Sequence, residues 1–348
     1  MKYSETILAR IFNYSSCCYA LKEPPEFFIL EHDSQKIFQF YKDHHYGSPT
    51  HPLISQMTSD PEDIRLTEKY FAQITEDISD MNLAYLLTAE VLSKVLSYRN
   101  LKKNHQIKIP QKTHKSLELI EYRVDVVLNL WQDIRCFGLV PIEKAVAPPL
   151  LLFPGTDFSL LTKRGRASML NDLDPSGPGR SLFLHARQQI RHWLETVCQD
   201  HLACLFGHSL GGILASYVLI MEHKFIHKSC KSFIFNYPGI ELDMFQRWME
   251  IDKNKQPDFI GFVSRGDIVS KYGYLFGNTY ELALGSPLQP ITAHTNLFFA
   301  HPVCHLSKVD INMENNSKSR KQYSKLYKKT SSLFYHIGLK YFFPDHQS

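Results

Sequence analysis

Residues 202 to 217 of this 348-residue chain constrain its fold more than any other stretch. An apolar, strand-like run over 202–206 enters Gly207-His208-Ser209-Leu210-Gly211, and a helical pattern follows to about Glu222. This G-x-S-x-G pattern predicts a tight strand-to-helix elbow with Ser209 at its tip. Such a turn forces awkward backbone angles on the serine and leaves no room for side chains two residues to either side, which Gly207 and Gly211 satisfy. Gly212 and Ala215 are small enough for the helix to lie close to a sheet. The helix N-terminus offers free backbone N–H groups and a positive dipole end, both suited to a developing oxyanion.

An elbow of this kind needs a sheet to carry it, and the chain supplies one. Short apolar strands are predicted at Arg135–Ile142, Pro149–Phe153, Lys231–Gly239 (ending in a turn) and Phe259–Ser264, with a helix over Ser181–Val197 and another after the elbow. Strands alternating with helices predict an α/β fold of the α/β-hydrolase kind, with a mostly parallel sheet and helices on both faces. Upstream, Ser59-Asp60-Pro61-Glu62 reads as a helix start, followed by Leu66, Tyr70, Phe71, Ile74 and Ile78 on one face. Further helices are expected over Met81–Tyr98 and His114–Ile134, the latter from the spacing of Leu117, Ile120, Val124, Val127, Leu128 and Trp131. The expected organisation is an N-terminal irregular and helical extension (1–134) packing on the core, a catalytic core (135–310) and a basic amphipathic C-terminal segment (311–348).

A serine at neutral pH needs a base to take its proton and a group to orient that base. In such a sheet the chain order is Ser, then Asp or Glu, then His. Asp267 follows the strand ending at Ser264 after a short Arg-Gly turn and is the favoured acid, with Asp243 as fallback. Three histidines lie downstream. His301 is favoured and His305 is next, because both lie just beyond the alternating run Ile291–Phe299, where a loop should return to the site. His294 lies inside that run and reads as a strand residue. The oxyanion donors are expected from the N–H of Leu210 and from Thr156 in the turn Pro154-Gly155-Thr156-Asp157.

These residues resemble those of the class 3, fungal-type lipases. Phe153-Pro-Gly-Thr156, Asn171-Asp172-Leu173, Phe206-Gly-His-Ser-Leu-Gly-Gly212, Phe235-Asn-Tyr-Pro-Gly239 and Gly266-Asp267-Ile-Val269 occur in the order of that family's motifs, over roughly residues 135–305. The resemblance implies an ester hydrolase acting on acylglycerols or phospholipids, with Ser209 as nucleophile, Asp267 as acid and Thr156 as oxyanion donor. It further implies a lid after Thr156 whose apolar side is Leu160, Leu161, Met169, Leu170 and Leu173. The alternative is a catalytically silent relative that binds a lipid or protein partner.

Composition bounds the rest. The net charge of +4 is concentrated in residues 317–340, which hold seven Lys/Arg and no acid; the remainder carries 32 basic against 35 acidic residues. Tyr323, Leu326, Tyr327, Leu333, Phe334, Ile337 and Tyr341 recur there at helical spacing, so the segment is expected to pack its apolar face on the domain or to make peripheral contact with an anionic membrane. Nothing else points to nucleic acid. The seven cysteines follow no disulfide or metal framework and read as reduced thiols. His44, His45 and His51, and the cluster His301, Cys304 and His305, lack the partners a metal needs, and no cofactor is called for. With no signal-peptide h-region and no long apolar run, a cytoplasmic location is the expectation, signal-independent secretion being the other reading.

Overall fold

The computed structural model describes residues 61–309 apart from 79–80, 113–115, 144–146, 160, 200, 229–231, 285–292 and 295–302, and beyond them residues 327, 331–332, 334–336 and 340. A nine-stranded sheet runs through the described chain with its strands in sequence order. β1 (Gln106–Lys112), β2 (Leu117–Trp131), β3 (Ile134–Pro141) and β4 (Leu150–Phe153) are antiparallel neighbours. From β4 through β5 (Cys204–His208), β6 (Ser232–Phe235), β7 (Phe259–Ser264) and β8 (Asn278–Leu284) the pairing is parallel. β9 (Val303–Lys308) returns antiparallel at the edge. The protein therefore has an α/β-hydrolase-like fold.

Strands β4 to β7 are buried throughout because helices cover both faces. Alternation along β4 shows how the two layers divide. Leu150 and Leu152 join a core with Tyr70, Phe71, Leu87 and Leu92 of α1 (Pro61–Asp77) and α2 (Met81–Lys94). Leu151 and Phe153 join the opposite core with α4 (Arg180–Val197), α5 (Leu210–Met221) and α6 (Leu242–Glu250). Between β4 and α4 lies α3 (Lys163–Asp172), capped by the Thr162 hydroxyl, which accepts a hydrogen bond from the Gly165 N–H at 2.9 Å.

The helix expected over 114–134 is instead the long strand β2 and the start of β3, and the β2–β3 hairpin spans the expected extension–core boundary at 134. A bulge explains the misleading period. Register shifts between Val124 and Val126. Before the bulge, Ile120, Tyr122 and Val124 pack on the α1/α2 side; after it, Val126, Leu128 and Leu130 pack on the other. One inserted residue reverses which face the even positions take, so a period of two looks like spacings of three and four. The turn is Gln132-Asp133, both with positive φ (48° and 68°), the backbone a two-residue type I′ hairpin requires.

Candidate active site

At the end of β5 the chain turns through Ser209 with φ 57° and ψ −122°, a strained conformation for a residue with a side chain. Sterics around it account for the flanking glycines. A Cβ on Gly207 would lie 2.3 Å from the Gly211 carbonyl oxygen, and one on Gly211 would lie 2.2 Å from that of Phe153. Only bare backbone lets β5, α5 and the end of β4 approach this closely.

Ser209 Oγ lies 2.7 Å from His294 Nε2, and His294 Nδ1 lies 3.0 Å from Asp267 Oδ2. Because a carboxylate only accepts, Nδ1 carries the proton and the Nε2 lone pair faces the serine hydroxyl. Asp267 is fully buried and is held by two further donors, the Val269 N–H onto Oδ1 at 2.8 Å and the Ser270 hydroxyl onto Oδ2 at 2.5 Å. Among the described residues, the histidine in contact with Ser209 is thus His294, where the sequence favours His301. His301 lies outside the described residues. His305 lies on β9, paired with Ala283 of β8, and Ala293 and His294 are helical where a strand is expected. Asp243 is engaged elsewhere, in a two-pronged bond to Arg180 at 2.9 and 2.5 Å.

Main-chain anchors hold His294 in place, and the sequence carries no motif for them. His208 Nε2 lies 2.8 Å from the His294 carbonyl oxygen, and its Nδ1 lies 2.9 Å from the Tyr98 hydroxyl. Burial, followed by the neighbouring His294 and Lys94, pushes the His208 pKa well below its ordinary value, so the ring is neutral. A carbonyl cannot donate, so Nε2 bears the proton and Nδ1 accepts from Tyr98. Asn236, at the end of β6 with φ 46°, donates through Nδ2 to the carbonyls of Ala293 (3.0 Å) and His294 (2.7 Å). Its Oδ1 accepts from the Ser264 N–H at 3.0 Å, and the Ser264 carbonyl accepts from the Asp267 N–H at 3.0 Å. One asparagine therefore ties the acid's strand to the histidine. Asparagine tolerates this left-handed backbone better than other residues with side chains.

Thr156 and Leu210 line the same cleft as Ser209 and His294. Leu210 opens α5, where first-turn N–H groups have no intrahelical acceptor. The Thr156 hydroxyl donates to Asp172 Oδ2 at 2.6 Å. Burial raises the Asp172 pKa to about 7, against the lowering effects of Thr156 and His294. The cleft, about 300 Å³, is mainly apolar, and Phe158, Leu173, Ile268, Val269 and Tyr272 contribute to its walls. Of the residues expected to form a lid, Leu173 faces this cleft, Leu161 is 93% exposed, and Met169 is half-buried. Leu170 is packed in the core beside α4 and α5, so it does not belong to a movable apolar face, and Leu160 lies outside the described residues. Among the described residues there is no cluster of metal-ligand type and no helix long and apolar enough to cross a membrane. Cys136, Cys198 and Cys204 are free thiols.

Glu241 is another buried carboxyl. Glu241 Oε2 accepts from the Tyr217 hydroxyl at 2.9 Å, and burial raises its pKa to about 7. A carboxyl whose pKa is raised by folding contributes stability below its unfolded value, and that stability is lost as pH rises to the folded value. Glu241→Gln should therefore flatten the fall of Tm between about pH 4.5 and 7 and leave the variant the more stable protein at pH 8. Parallel Tm–pH curves for the two proteins would contradict this.

No family model and no curated protein matches the sequence. Among solved structures, the chain is similar to a fungal lipase at 14% identity, over 76% of this chain and 92% of that one, with a TM-score of 0.38. It is also similar to a triacylglycerol lipase from Penicillium expansum at 13% identity, over 57% of this chain and 77% of that one, with a TM-score of 0.31. A lipase from Rhizopus microsporus var. chinensis matches at 14% identity, over 80% and 89%, with a TM-score of 0.31.

Proposed function

We propose that the chain is a serine ester hydrolase of the lipase or esterase type, with Ser209, His294 and Asp267 as its triad. The observation that carries the proposal is the continuous Ser209–His294–Asp267 hydrogen-bond chain, held at a strained elbow and opening on an apolar cleft. Ser209 Oγ attacks the ester carbonyl while its proton passes to His294 Nε2. Asp267 stabilises the resulting imidazolium through Nδ1–H. The tetrahedral oxyanion meets the Leu210 N–H and Thr156. His294 then hands the proton to the departing alkoxide, leaving an acyl-serine. Water, deprotonated by His294, attacks that acyl group and releases the carboxylic acid, and Ser209 recovers its proton.

The apolar walls suit an acyl chain, and Phe158 and Ile268, each more than half exposed, extend that character to the rim. A lipid substrate would also give the basic residues of 317–340 an anionic surface to meet, and peripheral membrane contact is part of this proposal. A fluorophosphonate probe tests the chemistry directly. The wild type is expected to label and Ser209→Ala to lose all labelling. A wild type that never labels would instead favour a silent binding protein.

A further inference from the structure

A C-terminal residue forms part of the cleft. Tyr327 is one of its lining residues, although it lies well beyond the last strand in sequence. Its ring packs on Tyr272 with centroids 4.5 Å apart. Its hydroxyl donates to the main-chain carbonyls of Asp172 and Asp174, the latter at 3.2 Å. The two contacts fall on opposite banks. Tyr272 follows the acid loop that carries Asp267, Ile268 and Val269, whereas Asp172 and Leu173 end α3, and Asp172 also receives the Thr156 hydroxyl. Nearby described residues also contact the domain: Ser331 is fully buried, and Tyr335 packs against the core shared by α4, α5 and α6.

We propose that Tyr327 is a specificity-determining residue of this site, its ring limiting acyl-chain length and its hydroxyl holding the bank that positions Thr156. The inference rests on the ester-hydrolase reading. An aromatic ring spanning two banks takes up space that an acyl chain would otherwise fill, and pocket walls discriminate by roughly 10- to 200-fold per misfit methylene. Ring and hydroxyl act on different quantities, so two substitutions separate them. Tyr327→Phe keeps the ring and loses the pin. Tyr327→Ala loses both.

The experiment measures kcat and KM on p-nitrophenyl esters from four to sixteen carbons, with the full chain, and normalises active enzyme by fluorophosphonate titration. Tyr327→Ala should raise the ratio of kcat/KM for long over short esters by about tenfold or more. Tyr327→Phe should keep the wild-type chain-length optimum while kcat falls several-fold on every ester. A merely structural role would lower the titratable fraction and leave the chain-length profile of the active fraction unchanged. An unchanged profile in titrated Tyr327→Ala, or a shifted one in Tyr327→Phe, overturns the proposal and leaves the triad intact. A wild type that hydrolyses none of the esters overturns the ester-hydrolase reading and this inference with it.

Discussion

His294→Ala is expected to lower kcat on a simple ester by about 10⁴- to 10⁶-fold with little change in KM, the scale seen when one member of a serine triad is removed. The magnitude follows from geometry. His294 is the only described side chain that bonds to both Ser209 Oγ and Asp267 Oδ2, so without it the serine keeps its proton and the carboxylate has nothing to orient. His301→Ala and His305→Ala should each retain activity within a few-fold of wild type, since the base position at Ser209 is already filled. Kinetics on the three purified variants decide the matter. A His294→Ala enzyme with near-normal kcat, or a His301→Ala enzyme without activity, would discard the assignment. Asn236 offers a graded check, because Asn236→Gly suits the left-handed backbone and removes all three side-chain hydrogen bonds that tie His294 to β7.

Gly211→Ala is expected to cost the most stability for the smallest chemical change. The new Cβ would meet the carbonyl oxygen of Phe153 at 2.2 Å and that of Pro154 at 2.7 Å. Both are backbone atoms at the end of β4, and no side chain can swing away to relieve them. The strand end must shift, at a cost near the upper end for overpacking, about 3 kcal/mol. Tm should fall on the order of 10 °C. The shift carries Gly155 and Thr156 with it, so the folded fraction should also lose about 100-fold or more in kcat if Thr156 is the oxyanion donor proposed above. Thermal melts and titrated turnover report the two effects separately. A Gly211→Ala protein matching the wild type in both would mean that α5 does not sit against β4 as described.

Both predictions rest on positions that differ in how far the sequence revealed them. Ser209, Gly207 and Gly211 were legible because their constraint is local: a sharp turn between a strand and a helix demands small residues within two positions of the serine. Asp267 was nearly as legible, since an acid just past the end of a buried parallel strand has few other places to point. The parallel strands 150–153, 204–208, 232–235 and 259–264 could be read from unbroken apolar runs, which double burial imposes. By contrast, β2 was hidden by a one-residue bulge that turned its alternation into a helical spacing, and its Gln132-Asp133 turn lacks the glycine that usually marks a hairpin.

The sequence by itself determined the sharp turn that carries Ser209, the proposed nucleophile, and the sheet beneath it, because these depend on neighbours a few residues apart. Only the tertiary structure decided the histidine, the anchors His208 and Asn236, and the place of Tyr327 in the cleft. His294 is held through its main-chain carbonyl by side chains 86 and 58 residues away, and Tyr327 grips a carbonyl 155 residues upstream. A backbone carbonyl looks the same whatever side chain its residue carries, so contacts made to it leave no pattern in sequence.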